Sequence, residues 1–395
     1  MRKTNLFCSF LAVVLLSLGL GVSAQAFHDG GVAHCDGCHT MHNSQDGESI
    51  IEGGTVGTTG EHLTIGADPG STCLNCHAGT GTYHVFSTTG DNFTPGGDFY
   101  WVTKTWTWDE RGTTVTRNGY RVGHNVIAAD FGLIQDPVLS QAPGGSYQSA
   151  WLSCSSCHDP HGKKFNSTTP IVASGSYREN YDAYDAAELG NFRLLGDQNY
   201  DAGPNFSFAR PVPTATTPNP FGAGRNETDG SHTDYGQGMS EWCSNCHTGF
   251  LANSVGERKH PAANTATLGQ SNININYNAY VRTGDLTGTQ ATAYLALVPF
   301  ERGTNDPKST DPTSTAGPVS TSNVMCLSCH RAHASAFPDA GRWDFEAEFL
   351  ADSHPKNTDG GAGASDQENS YYGRDMQAEF GESQRSLCNK CHVQD

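Results

Sequence analysis

Positive charge is scarce in this chain. Its 23 Lys and Arg residues stand against 41 Asp and Glu, for a formal net charge of -18, and the basic residues form no run. Such a balance offers no face for a phosphate backbone and excludes a nucleic-acid role. Hydrophobic residues are also few, 36% of 395, while glycine reaches 46 and proline 18. That is thin material for a core of this length, so either much of the chain is disordered or something other than side chains supplies buried apolar surface. Long apolar runs are missing after residue 22, and no later stretch approaches the roughly 18 residues that a spanning helix needs. With only 16% charged residues the surface must be largely neutral and polar, a kind of surface poorly protected from self-association.

The amino end does carry an apolar run. Arg2 and Lys3 precede it, it extends from Leu6 to Val22, and Ala24-Gln25-Ala26 closes it with small residues. This is the pattern of a secretory signal peptide over residues 1–26, with Phe27 as the first mature residue. Cys8 lies early in the run, away from the cleavage site, and is removed with it rather than carrying a lipid. A single membrane helix is the alternative reading. Residues 27–395 contain no evident linker and read as one continuous domain.

Cysteine outside one motif is absent from the mature chain. Apart from Cys8, every cysteine belongs to C-x-x-C-H: Cys35/Cys38-His39, Cys73/Cys76-His77, Cys154/Cys157-His158, Cys243/Cys246-His247, Cys326/Cys329-His330 and Cys388/Cys391-His392. A disulfide framework gives no reason for six adjacent histidines. Zinc ribbons and thioredoxin-like sites use C-x-x-C pairs but do not require a histidine directly after the second cysteine. The c-type haem motif does: two thiols form thioethers to the macrocycle, and the next residue places an imidazole on iron. Six haems also answer the composition problem, since six flat apolar bodies can form a spine around which Gly- and Asn-rich loops wrap. The expected fold is a multihaem cytochrome c, mostly coil wrapped around a stack of six haems, with a few short helices and a small β-hairpin. Intervals between the proximal histidines run unevenly from 38 to 89 residues, which excludes a solenoid.

The sixth position of each iron separates an electron carrier from a catalyst. Methionine is too rare to fill six such positions, at five in the whole chain. Eleven histidines remain: His28, His34, His42, His62, His84, His124, His161, His232, His260, His333 and His354. Three recur at one spacing, in C-D-G-C-H-T-M-H (His42), C-S-S-C-H-D-P-H (His161) and C-L-S-C-H-R-A-H (His333). A histidine three residues beyond the proximal one cannot easily reach the far face of its own haem, but it can reach a neighbour's iron and so force two haems together. His84, His124 and His260 lie in short segments able to point a ring inward. His34, His62, His232 and His354 sit in polar loops and are read as solvated.

Between residues 98 and 117 the chain is dense in aromatic and β-branched residues with R-G as the turn, the pattern of a hairpin, and Trp101, Trp106 and Trp108 either form its core or pack on haem edges or at a subunit contact. Residues 287–301 are the best helix candidate, ended near Pro299, and 342–351 a second short one. Segments 164–235 and 301–324 read as polar loop.

Beyond the motifs, F-H-D-G-G-V-A-H-C-D-G-C-H-T-M-H-N-S from Phe27, T-P-G-G-D-F from Thr94, Y-G-Q-G-M-S-E-W-C-S-N-C-H-T from Tyr235 and G-D-L-T-G-T-Q-A-T-A-Y-L from Gly284 closely resemble the filament-forming extracellular hexahaem cytochromes of metal-reducing bacteria. The resemblance spans essentially the whole mature chain. It implies six bis-histidine haems in a continuous stack and subunits joined head to tail into a conducting filament on the cell exterior, reached through the periplasm. Such a filament takes electrons from periplasmic or outer-membrane cytochromes and delivers them to extracellular acceptors such as metal oxides. It implies His42 as the ligand that crosses to a neighbouring subunit, at the haem of His330. His84, His124, His161, His260 and His333 complete the distal set, with His28 in reserve. This chain departs in its loops, being shorter between the fifth and sixth motifs, and in its spare histidines. A soluble periplasmic electron shuttle is the competing reading. A multihaem reductase with one open iron is a more distant one, because candidate ligands outnumber irons.

Overall fold

The computed structural model describes residues 35–44, 49, 63–81, 83–161, 191–218, 226–251 and 262–392. The signal segment, His28, His34, His62 and His260 lie outside the described residues.

Two cysteines three positions apart fall on one side of a helical turn, and a residue four positions after the first joins them there. Each motif is built on such a turn: 3-10 turns at Cys35–Gly37, Cys154–Ser156, Cys326–Ser328 and Leu387–Lys390, helix α1 (Pro69–His77), and helix α2 (Met239–Cys243) leading into α3 (Thr248–Leu251). The amide of the motif histidine donates to the carbonyl of the first cysteine in four of them, at 3.0 Å for His158, 3.1 Å for His247, 3.1 Å for His330 and 2.9 Å for His392. Local residues hold the turns. Asp68 caps α1 by accepting from the Ser71 amide at 2.7 Å, and Pro69 opens the helix, where its missing N–H costs nothing. Ser156 and Ser328, each just before the second cysteine, accept from the amides of Ser153 and Met325 at 2.9 and 3.1 Å.

The expected hairpin is present as β1 (Thr105–Glu110) paired with β2 (Thr113–Asn118). Arg111 and Gly112 both have positive φ, 52° and 84°, the conformation that matches strand twist in a two-residue turn. Trp106 is fully buried, and Trp108 lies flat on His354 with ring centres 4.0 Å apart. Trp101 precedes the strand on a 3-10 turn, Phe99–Thr103, capped by Asp98. Two more antiparallel pairs, β3 (Asp201–Gly203) with β4 (Phe206–Ser207) and β5 (Thr214–Thr216) with β6 (Asp234–Gln237), occupy part of the region expected to be polar loop.

Neither expected helix forms. In 287–301 only Gln290–Thr292 makes a helical turn, and residues 293–300 run irregularly with every residue buried. Their amides bond outward: Tyr294 to the Thr315 carbonyl at 3.0 Å, Leu295 to the Tyr277 hydroxyl at 3.2 Å, and Ala296 to Asp229 Oδ1 at 2.7 Å. Apolar on all sides, the segment has no amphipathic stripe to favour a helix, and neighbouring loops satisfy its backbone instead. Residues 342–351 likewise reduce to a turn at Leu350–Asp352, because Arg342 and Leu350 donate their amides to the carbonyls of Cys329 and Gln384. These segments join Trp101, Trp106, Trp343 and Phe337 in the largest apolar cluster.

Candidate haem-ligating site

Four of the motif turns place the histidine ring against a carbonyl from beyond the motif. Nδ1 of His77, His158, His247 and His330 meets the carbonyls of Tyr83, Arg193, Pro143 and Asp339 at 2.7, 2.8, 2.8 and 2.7 Å. A ring that donates from Nδ1 keeps the lone pair on Nε2, the atom a metal would take. Burial, with smaller contributions from neighbouring charges, holds His158 and His247 below the ordinary imidazole value, so both rings remain neutral.

Three motif histidines face a second histidine. His39 and His161 have centres 6.2 Å apart, His158 and His333 6.3 Å, and His247 and His124 6.1 Å. With metal–nitrogen bonds of about 2.0–2.1 Å on each side, two imidazoles facing one another across a metal have centres roughly 6 Å apart. Their mutual tilts of 7°, 56° and 50° differ, as rotation about a shared axis allows. His124 repeats the proximal pattern, with Nδ1 on the Ala332 carbonyl at 2.7 Å. Burial, then the nearby His247, pushes His124 down to about 4, and burial followed by His158 pushes His333 to about 3.

Backbone proximity sets these distal rings. The His124 amide donates to the His333 carbonyl at 2.8 Å, and the His333 amide to the Gly96 carbonyl at 2.7 Å. Gly97, at φ 94°, bridges to Ala334, and a β-carbon there would collide with the Ala334 carbonyl oxygen. Only glycine allows that approach.

Two of the i+3 histidines face the histidine of another motif rather than their own. His161 turns away from His158, its own motif, to His39; His333 turns away from His330 to His158. His42, the third, is exposed, on a stretch clipped in place by Thr40 N–H to the Leu63 carbonyl at 2.7 Å and Ile65 N–H to the Cys38 carbonyl at 3.0 Å. His84 is half-buried with Nδ1 lacking a partner, on the loop whose Tyr83 carbonyl holds His77.

The spare histidines correct the sequence reading. His232, expected in solvent, is buried and stacked on Tyr294 with centres 3.7 Å apart. His354 is half-buried between Trp108 and Asp359, with Nδ1 2.6 Å from the carboxylate. Aromatic neighbours distant in sequence draw both rings inward.

Successive motifs touch. The thiols of Cys73 and Cys154 lie close together, as do those of Cys243 and Cys326. Cys157 lies within electrostatic range of Cys246, and Cys329 of Cys388 and Cys391. Neither Cys38 nor any cysteine of the five later motifs is in a disulfide. Cys388, Cys391 and His392 line an apolar cleft together with Leu268, Tyr277 and Phe300.

Cys76 is exposed, whereas Cys38, Cys73 and the cysteines of the four later motifs are half-buried. Helix α1 turns Gly70, Ser71, Thr72 and Leu74 inward, and a residue two positions beyond Leu74 falls on the opposite side of the helix.

Sequence reasoning missed the charges beside the fifth motif. Arg331 and Arg342, both buried, grip Glu227 at 2.8 and 2.9 Å. Arg342 also donates from Nε to the Leu327 carbonyl at 2.7 Å, and Arg331 lies 3.6 Å over the Tyr372 ring. The Nη2 atom of each arginine is buried without a partner, which fits the carboxylates that a haem carries on its edge. The only signal in the sequence was the position of Arg331 immediately after C-x-x-C-H. Thiol pairs, opposed imidazoles, an apolar cleft and unpartnered guanidinium donors together fit haem.

Mostly irregular backbone holding C-x-x-C-H turns in contact, with histidines opposed in pairs, defines a c-type cytochrome with several haem-attachment motifs. No protein-family model matches the chain. It is 42% identical over 94% of its length to the C-type cytochrome OmcS of Geobacter sulfurreducens, covering 95% of that protein, and it belongs to the OmcS family of c-type cytochromes. Two solved structures of the Geobacter sulfurreducens protein, described as OmcS nanowires seen by cryo-EM and as an Outer Membrane Cytochrome S filament, superpose with a TM-score of 0.81 each. They are 41% and 40% identical to this chain, which covers 100% of each, with 93% of its own length matched.

Proposed function

We propose that this chain is an extracellular electron conductor. In this reading it attaches six c-type haems, closes each iron with two histidines, and joins identical subunits head to tail. Bound haem supplies the one-electron Fe(III)/Fe(II) couple. The chain's own residues do the rest. The cysteine pairs fix position, the proximal Nδ1 bonds orient each ring, and the distal histidines occupy the position a substrate would need. Buried aromatic and aliphatic side chains keep water away.

The observation that carries this reading is the spacing of the three opposed rings at 6.1 to 6.3 Å. Two of them form a series: the fifth motif lends His333 to the third, and the third lends His161 to the first. The first motif has the same i+3 histidine, His42, and it faces outward. In this reading, as the family resemblance implies, His42 ligates the fifth iron, at His330, of the next copy. The contact is heterologous and open-ended, which generates a filament. His84, His260 and His28 are the candidates for the irons of His77 and His392. Partners in this reading are identical subunits, electron-donating periplasmic or outer-membrane cytochromes and external acceptors such as metal oxides.

Cryo-electron microscopy of protein sheared from the cell exterior tests the reading. Filaments with an unbroken haem chain and His42 crossing each junction are expected, whereas discrete particles would remove it. His42→Ala is expected to retain six attached haems and to form no filaments, as seen by haem mass analysis and negative-stain microscopy. Normal filaments from that variant would refute the junction.

A further inference from the structure

Two carboxyl groups between the fourth and fifth motifs take no part in the ligation described above. Glu301 is fully buried. Its Oε1 accepts from the Met239 amide at 2.7 Å, and its Oε2 is buried with no partner. Glu241 sits on α2, two residues before Cys243. Its Oε1 accepts from the Asn264 amide at 2.8 Å, and its Oε2 is also buried and unpartnered.

Among the described residues no cation compensates Glu301. Glu241 of α2 and the sulfur of Cys326 in the fifth motif lie within electrostatic range of it. Tyr235 and Asn323 meet it through backbone bridges. Arg302, the next residue, turns instead to Asp234, with Nε 2.8 Å from Oδ1, and to the Ala316 carbonyl at 2.9 Å. Among the described residues neither Glu241 nor Glu301 has a salt-bridge partner. Burial, reinforced by the charge of Glu241, pushes Glu301 up to about 8, as expected where charge is neither hydrated nor paired. Once Cys326 is a thioether its sulfur has no ionisable proton, and burial and Glu241 remain as the causes. The pair lies at the junction of two attachment sites: Glu241 shares a helix with Cys243, and the Cys326 amide donates to Ser240 Oγ at 3.0 Å.

We propose that Glu301, with Glu241 beside it, is a proton-exchange site that couples proton uptake to reduction of the haem attached at Cys326 and Cys329. The proposal rests on the haem attachment argued above. Where pH is high enough for Glu301 to be ionised beside Fe(III), acceptance of one electron from a neighbouring haem, Fe(III) passing to Fe(II), is accompanied by transfer of one proton from water to the Glu301 carboxylate, forming an O–H bond at Oε2. Oxidation reverses both transfers. The buried region then changes no net charge, which matters where the effective dielectric constant is low. Reduction at this position becomes easier as pH falls.

The test is spectroelectrochemical titration of the haem-loaded protein across a pH series. One component is expected to lose potential as pH rises, by up to about 59 mV for each tenfold fall in proton concentration. Glu301→Gln should make that component independent of pH, and Glu241→Gln should move its sloping window to lower pH. Glu301→Gln with its haems attached and its pH dependence unchanged would overturn the proposal. Infrared difference spectra of the unmutated protein provide a check that needs no variant. Reduction should produce a protonated-carboxyl band that shifts in heavy water, and a spectrum without it would equally overturn the proposal. Haem mass analysis of the unmutated protein separates the two readings: missing haems would refute attachment itself.

Discussion

Glu227 and Glu301 are both buried glutamates near the fifth haem motif, yet their surroundings drive them in opposite directions. Burial alone would raise Glu227, but the guanidiniums of Arg342 and Arg331 outweigh it and hold the carboxyl below its ordinary value. Glu301, with another glutamate beside it and no cation, is raised to about 8. Depth therefore decides little on its own; the charge placed beside a buried acid determines whether it is a fixed ion or an exchangeable proton site. The first ties three segments together, since Glu227 reaches Arg331 of the motif and Arg342 beyond it.

Removing Glu227 should have the largest effect on stability. Glu227→Ala leaves two buried guanidiniums uncompensated and is expected to cost about 3–5 kcal/mol, measured by denaturant unfolding of the haem-loaded protein. Loss below about 1 kcal/mol would show that haem carboxylates already neutralise both arginines.

The pH profiles of the two acids should oppose one another, with a smaller amplitude. Because the folded value of Glu227 is depressed, its contribution is present above the ordinary carboxyl value of 4.5 and is lost as pH falls through the folded value. Because the folded value of Glu301 is raised, its contribution is complete below 4.5 and is lost as pH rises toward about 8. The latter loss is on the order of a few kcal/mol, and Glu301→Gln should flatten it. An unaltered slope between those pH values would remove the contrast. The smallest effect belongs to Lys356, whose pair with Asp352 at 3.2 Å is partly to fully exposed. Lys356→Ala should change stability by no more than about 0.5 kcal/mol, which separates buried from surface pairing.

Much of this arrangement was legible in the sequence because its determinants are local. C-x-x-C-H marks the cysteine turns, Arg111-Gly112 fixes a hairpin by backbone conformation, and the i+3 spacing singles out His161 and His333, which face another motif. What failed depended on distant segments. Residues 293–300 looked helical, but their amides are satisfied by Thr315, Tyr277 and Asp229. His232 looked solvated until Tyr294 supplied a stacking face. Arg331 and Arg342 stand eleven positions apart and converge only because Glu227, about a hundred residues earlier, lies between them. No periodicity in the sequence encodes such a meeting.

The clip that holds His42 has a mechanical consequence. In a filament joined through that ring, lengthwise load enters each subunit through the few residues from Cys38 to Asn43. Two backbone bonds, Thr40 to Leu63 and Ile65 to Cys38, pass it to the segment that leads into α1. Tension is thus carried in shear across a short paired stretch and then into cross-linked turns. The yield point of such a fibre is set by a coordination bond and this small brace, whatever the area of the surrounding contact.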